Sequence, residues 1–256
     1  MEHISSRENL IIKNVKKLKE RKYREEKKQF LIEGIRFVSE ALVSDFHVDM
    51  VFITEDIISK FENLNLNNTT KIYSLSKQVF KEISSTENPQ GIAALVNYNN
   101  INVKDRVGFY VLADKIQDPG NLGTIIRSAH ASNALGVIIT KGTVDVYNDK
   151  TLRATMGSIF HIPIIQDDEL TFLRKLVDGG FKLLVSSLDT DKNFFDVDLK
   201  GEIIIAVGNE GAGISNEIME FSSLKVKIPM PGGAESLNVS AASSIMMFEV
   251  VRQNSL

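Results

Sequence analysis

"VGFYVLADKIQDPGNLGTIIRSAHASNALGVIIT", residues 107–140, decides how this chain folds. It opens with a nearly continuous apolar run, Val107–Asp114, the pattern of a strand buried on both faces of a parallel sheet. "QDPGNLG" follows as a Pro/Gly turn. "TIIRSAHASNA" (Thr124–Ala134) reads as a helix and "GVIIT" (Gly136–Thr140) as the next strand. Strand, crossover helix and strand in that order imply two parallel neighbours.

The alternation continues to the C-terminus. "NDKTLRATMGS" has a helical pattern, "IPII" is a short strand, and "DDELTFLRKLVDG" is an amphipathic helix. "FKLLVSS" and "EIIIAVG" are two more buried strands. "SNEIMEF" is a short helix, "LKVKIPM" a strand, and a last helix covers Leu237–Arg252. Residues 107–256 are therefore expected to form one α/β domain with a parallel sheet covered by helices on both faces.

The first hundred residues read as a smaller α/β domain, residues 1–100. A basic helix comes first, then "FLIEG" (Phe30–Gly34) as a strand and a helix over Ile35–Val43. A strand is expected over Val48–Thr54 and a helix over Glu55–Leu64. "KIYSL" is a strand, "SKQVFKEISS" a helix and "GIAALVNY" a strand. "NNINVKDR" (Asn99–Arg106) is polar and lacks a period, as a linker would.

Bulk properties narrow the function. The chain has 256 residues, 43% hydrophobic and 25% charged, a globular composition. It has no cysteine, which excludes disulfides, thiolate metal sites and a cysteine nucleophile. His3, His47, His130 and His161 are scattered, so no metal is expected. No apolar run reaches the ~20 residues that span a bilayer, and the start lacks a signal-peptide core, so no membrane partner and a cytoplasmic location are expected. The net charge of −3 hides an asymmetry. Residues 7–36 carry 11 Lys/Arg and 5 Asp/Glu, or +6, which leaves 19 against 28, or −9, elsewhere. A basic arm on an acidic body suits a polyanionic partner. It also suits a solvated amphipathic helix burying Leu10, Ile11, Val15 and Leu18, and the two are compatible.

Ligands of an open parallel sheet bind where strands end and loops lead into helices. Three such joints stand out. In the first, Asn121 follows the Pro/Gly turn, and Arg127 lies one to two turns into the helix. A cation near a helix start opposes the dipole, which points to an anionic partner or to a structural salt bridge. The second joint, "GNEGAG", has the order G-x-x-G-x-G. It is neither a dinucleotide fingerprint nor a phosphate loop, which disfavours nicotinamide and nucleotide-triphosphate chemistry. Gly208, Gly211 and Gly213 let a flat ligand approach the backbone, with Glu210 inside the turn. A plain Gly-rich turn with a capping acid fits as well. The third joint lies in "IPMPGGAESLNVSAASSIMMFEVV" (Ile228–Val251). Ser236 or Asn238 alone would cap the last helix, so the pair is more than a cap requires. The Ala/Ser run behind them admits close packing.

Taken together, "DPGNLGTIIRSA", "GNEGAGIS" and "IPMPGGAESLNVSAA" resemble the three motifs of the SpoU (TrmH-like, SPOUT superfamily) RNA ribose 2′-O-methyltransferases. The likeness covers the second domain essentially throughout. More loosely, "SRENLIIKNVKKLKERKYREEKKQFLIEG" and "NPQGIAALV" are similar to the RNA-binding domain that precedes the catalytic domain in rRNA-modifying members. The resemblance implies a deep trefoil knot near the C-terminus, S-adenosylmethionine as cofactor and a homodimer. It implies RNA as partner, with 23S rRNA favoured over tRNA. A non-catalytic RNA-binding protein retaining the fold is the alternative from another class. Carried over by motif, Gly208, Ile228 and Leu237 would line the cofactor slot. Asn121, Arg127, Glu210, Ser236 and Asn238 fall at active-site positions. "HASN" (His130–Asn133) departs from the usual small or acidic run, which bears on substrate fit. An arginine side chain is effectively always protonated and is a poor base. Arg127 is therefore expected to hold a phosphate and stabilise the developing alkoxide.

Overall fold

The computed structural model describes residues 1–61, 69–103 and 107–254. It divides into two compact units, Met1–Asn100 with Tyr147–Phe160, and Ile101–Val146 with His161–Leu256.

The first unit is built on a mixed five-stranded sheet in the order β1-β4-β3-β5-β2. Its strands are β1 (Glu2–Ile4), β2 (Gln29–Glu33), β3 (Val48–Thr54), β4 (Lys71–Leu75) and β5 (Ile92–Asn97). The helices are α1 (Leu10–Lys17), α2 (Arg21–Lys27), α3 (Ile35–Leu42) and α4 (Lys77–Ile83). One face of the sheet packs Phe52, Leu75 and Leu95 against Ile12, Val15 and Leu18 of the N-terminal segment and Phe80 and Ile83 of α4.

Several expectations are corrected here. The single basic helix is two, α1 and α2. The break is held by the buried Arg24 guanidinium, whose Nη1 donates to the carbonyls of Leu18 at 2.6 Å and Lys19 at 2.8 Å. The buried face is Ile12, Val15 and Leu18, whereas Leu10 is 75% exposed. The strand β1 carries no sequence signal. Glu55–Phe61 is a 3₁₀ helix rather than α, and residues 62–64 of the expected helix lie outside the described residues, as do 104–106 of the linker.

The second unit has a six-stranded sheet in the order β11-β9-β10-β6-β7-β8, parallel at every pairing. In chain order it runs β6 (Phe109–Ala113), α5 (Pro119–Ala131) and β7 (Gly136–Ile139). The chain then contributes α6 (Asp149–Thr155) to the first unit and returns as β8 (Ile164–Gln166), α7 (Thr171–Asp178) and β9 (Lys182–Ser186). It ends with β10 (Ile203–Val207), α8 (Asn216–Met219), β11 (Leu224–Val226) and α9 (Val239–Asn254). Every residue of β6, β7 and β10 is buried, which accounts for their unbroken apolar character.

Two helix starts differ from expectation by four residues or more, and in each a side chain accepts from the first-turn backbone. α5 begins at Pro119, five residues earlier than the pattern suggests, because Asp118 accepts from the Asn121 amide at 2.8 Å and proline suits the first helical turn. α7 begins at Thr171, where Asp167 accepts from the backbone of Phe172 at 3.1 Å and Leu173 at 2.8 Å.

The segment 147–160, read by sequence as part of the second domain, packs into the first unit. Phe160 lies with its ring centroid 5.0 Å from Phe46 and 5.4 Å from Phe37, and Tyr147 stacks on Tyr98 at 4.0 Å. Among the described residues no helix is long and apolar enough to cross a membrane.

Candidate active site

Parallel register brings two of the joints side by side. Ala113 pairs with Val207, so β6 and β10 end together, and the Asp114 amide donates to the Val207 carbonyl at 2.9 Å. From β6 the chain crosses towards β7, and from β10 it crosses over β9 to β11. The sheet thus changes winding direction between β6 and β10, where open α/β sheets bind ligands.

Buried Asp114 secures these strand ends. Its Oδ1 accepts from Thr140 Oγ1 at 2.7 Å, and its Oδ2 accepts from the Ser215 amide at 2.7 Å, so one carboxylate ties the ends of β6, β7 and the loop after β10. Asn209 shapes that loop. Its Oδ1 accepts from the Gly211 and Ala212 amides, both at 2.9 Å, while its Nδ2 donates to the Lys115 carbonyl at 2.9 Å.

Glu210 projects from this loop onto the first joint. It accepts from the backbone amides of Gln117 and Asp118, both at 3.2 Å, and from Asn121 Nδ2 at 2.9 Å. Burial pushes the Glu210 carboxyl up, but the Asn121 amide and the surrounding backbone donors outweigh it and hold the group below its ordinary value. Asn121 Oδ1 in turn accepts from Asn238 Nδ2 at 2.9 Å. Asn238 Oδ1 caps α9, accepting from the Ser240 amide at 2.9 Å and its hydroxyl at 2.7 Å. Three distant joints are joined by one chain of hydrogen bonds, Glu210–Asn121–Asn238.

This chain borders a cleft of about 690 Å³. Gly208, Ile228 and Leu237 line it, as do Glu210, Ser236 and Asn238. Asn121 does not line the cleft and meets it through Glu210 and Asn238. Ser236 is exposed and makes no hydrogen bond among the described residues. Arg127 stands apart. It is exposed, makes no hydrogen bond or ion pair among the described residues, and is the ninth of the thirteen residues of α5. The salt-bridge alternative therefore finds no partner there. The dipole argument falls too, since it assumed a helix starting at Thr124.

The glycines also need a different account. A Cβ on Gly208 would lie 2.2 Å from the carbonyl carbon of Gly213 and 2.4 Å from the Ile214 nitrogen, so the loop's own closure requires glycine there. Gly213 has open space but a φ of +72°, and of the three only Gly211 is free of both restrictions.

Ser186 at the end of β9, and Ser187, Leu188 and Asp189 after it, also line the cleft. Their position follows from β9 lying beside β10, a neighbour relation that is not written in local sequence. The cleft suits a small cationic ligand with a flat apolar part. Its volume is that of a cofactor site. Ile214, Ile228 and Leu237 supply apolar surface, and Asp189, Glu210 and Glu235 outnumber Lys227, which is itself 3.2 Å from Asp191. Among the described residues no group of three or more His, Asp or Glu could hold a metal ion.

Known proteins resemble this chain over nearly its whole length. The model of the SpoU rRNA Methylase family matches residues 108–248, and that of the MRM3-like substrate binding domain matches residues 9–94. The 23S rRNA (guanosine(2553)-2′-O)-methyltransferase RlmP of Bacillus subtilis (strain 168) is 34% identical over 252 residues, 98% of this chain and 99% of that protein. The AdoMet-bound rRNA methyltransferase of Sinorhizobium meliloti superposes with a TM-score of 0.88 at 30% identity, over 98% of this chain and 97% of that one. The SpoU methyltransferase AviRb of Streptomyces viridochromogenes, solved with AdoMet, gives 0.88 at 27% identity over 96% and 98%.

Proposed function

Because the chain belongs to the SpoU rRNA methylase family, we propose that it is an S-adenosylmethionine-dependent RNA ribose 2′-O-methyltransferase acting on 23S rRNA. The observation that carries this reading is the hydrogen-bonded line Glu210–Asn121–Asn238 at the edge of the cleft.

S-adenosylmethionine supplies an electrophilic methyl group when bound. Gly208, Ile228 and Leu237, with the loop after β9, are the residues that would hold it, and the acidic lining favours its cationic centre. The chain's own contribution is positional. Glu210, held ionised by the Asn121 amide and the surrounding backbone donors, fixes the Asn121 amide, and Asn121 fixes Asn238 at the start of α9. Ser236 and Asn238 would then orient the ribose hydroxyl with little reorganisation during reaction. Arg127 has no partner among the described residues. It is assigned the RNA phosphate and the developing alkoxide, a role suited to a planar guanidinium with several donors.

The basic segment 7–36 is assigned the RNA backbone. A homodimer is supported by Ile245 and Phe248, 37% and 49% exposed on one face of α9. We infer the trefoil knot from family membership together with the close approach of α5 and α9, where Ser128 Oγ lies 2.8 Å from Ser244 Oγ. A cytoplasmic location follows from the proposed substrate.

The test has two arms. Calorimetry with S-adenosylmethionine should give one site per chain, and mapping of ribose methylation on 23S rRNA from cells with and without the gene should reveal one missing 2′-O-methyl group. Binding without any missing mark would redirect the search to tRNA. Absence of binding would leave a non-catalytic RNA-binding protein.

A further inference from the structure

Beside α2 the first unit carries a groove of about 310 Å³ that the proposed reaction does not use. Ile11, Met50 and Leu95 make its apolar wall, and Tyr23 contributes an aromatic ring to it. The ring is half-buried, with the Lys17 and Lys22 ammonium groups 5.7 and 5.9 Å from its centroid. Neither ammonium is hydrogen-bonded or ion-paired among the described residues. Glu26, the acid in the lining, is 3.2 Å from Lys27 and is locally neutralised. The Asn14 side chain at the groove makes no hydrogen bond among the described residues, so its donor and acceptor are available.

We propose that this groove receives an unpaired nucleobase of the RNA substrate, stacked on Tyr23, with Lys17 and Lys22 on the flanking phosphates. The proposal rests on the reading of residues 7–36 as an RNA-contacting segment and adds a base-binding position to it. The chemistry is that of single-stranded RNA recognition, in which splayed bases stack on aromatic rings while basic side chains follow the backbone. A purely apolar partner would leave the two ammonium groups unmatched. A bare polyanion would leave the apolar wall and the ring unused. A nucleotide satisfies both. Asn14 is placed to meet the edge of the base.

The 256-residue chain contains no tryptophan, so Tyr23→Trp installs a single reporter. Its emission should fall when decauridylate is added and stay level with an abasic strand of the same length and charge. In parallel, fluorescence anisotropy with end-labelled strands should show Tyr23→Leu weakening decauridylate binding about tenfold, with Tyr23→Phe near wild type and abasic-strand binding unchanged in both. If Tyr23→Trp unfolds, the Leu and Phe pair carries the test alone. Equal quenching by both strands, or an unchanged preference for decauridylate in Tyr23→Leu, overturns the groove while leaving the basic segment as an RNA contact. Failure of either strand to bind the wild-type protein at low salt overturns the RNA-contacting reading, and the groove with it.

Discussion

Asn121 donates through Nδ2 to Glu210 Oε1 at 2.9 Å, which fixes the direction of its amide and leaves Oδ1 to accept from Asn238, also at 2.9 Å. The polarity of this line is therefore set at Glu210. Asn121→Asp would place two carboxylates in contact and should weaken the line at its Glu210 end. The companion change Glu210→Gln supplies a new donor to the introduced carboxylate. The single Asn121→Asp variant is expected to lose about 1 kcal/mol of stability, and the double variant to recover part of it. Urea denaturation of the four proteins in the cycle measures the coupling. An additive result would mean that the two side chains do not interact in solution.

The same carboxylate gives a pH dependence of known sign. Its folded-state pKa lies below the ordinary 4.5, because the donors outweigh burial. The unfolded chain therefore binds the proton more readily, and the stability that Glu210 contributes is fully present above pH 4.5 and lost as the pH falls through the depressed value. Thermal midpoints of wild type and Glu210→Gln should differ at neutral pH and converge as acid is added. A gap that stays constant well below the ordinary carboxylate range would assign the stabilisation to something other than ionised Glu210.

Gly208 and Gly211 separate loop closure from ligand approach. A methyl on Gly208 collides with backbone at 2.2 Å, whereas one on Gly211 meets only Asn209 Oδ1 at 3.7 Å. Gly208→Ala should cost roughly 1–3 kcal/mol and abolish S-adenosylmethionine binding. Gly211→Ala should fold with near wild-type stability. If calorimetry shows that Gly211→Ala also loses the cofactor, the ligand itself lies against that backbone.

How much of this is legible in the sequence depends on the range of the cause. β6 and β10 announce themselves because both faces are buried, so every residue is apolar. The start of α5 does not, because Pro119–Gly120 is equally a turn signal and a helix start, and the deciding interaction is the Asp118 cap. The residues at the three joints are readable as motifs. That Glu210, Asn121 and Asn238 form one hydrogen-bonded line, in this direction, depends on strand order and is not readable from spacing. Ser186–Asp189 escape for the same reason. The longer helix removes the dipole argument for Arg127, and only its motif position and unpaired state among the described residues remain.

Arg127 accordingly calls for a test of role. Exposed and unpaired among the described residues, it should tolerate substitution within about 0.5 kcal/mol of wild-type stability. Arg127→Ala and Arg127→Lys are both expected to lower kcat about a hundredfold or more while S-adenosylmethionine affinity holds, because a point charge does not replace a planar fork. Single-turnover rates and RNA affinity should be measured on the same preparations. Loss of RNA affinity with an unchanged single-turnover rate at saturation would make Arg127 a phosphate clamp only.

From sequence, removing residues 1–100 should abolish RNA binding and spare the cofactor site. Packing of residues 147–160 within the first unit alters that expectation. Deletion would strip Phe30, Phe37 and Phe46 from around Phe160, and Tyr98 from Tyr147, leaving buried aromatic surface in water. The truncated chain should aggregate for that reason alone, which makes it a poor test of divided labour. Phe160→Ala is the cleaner probe. It empties an aromatic cluster of the first unit and should cost roughly 3–5 kcal/mol there. Hydrogen exchange should rise in β2 and α3 while β6 and β10 stay protected and calorimetric cofactor affinity is retained. Uniform loss of protection in both units would instead mean that they unfold as one cooperative body.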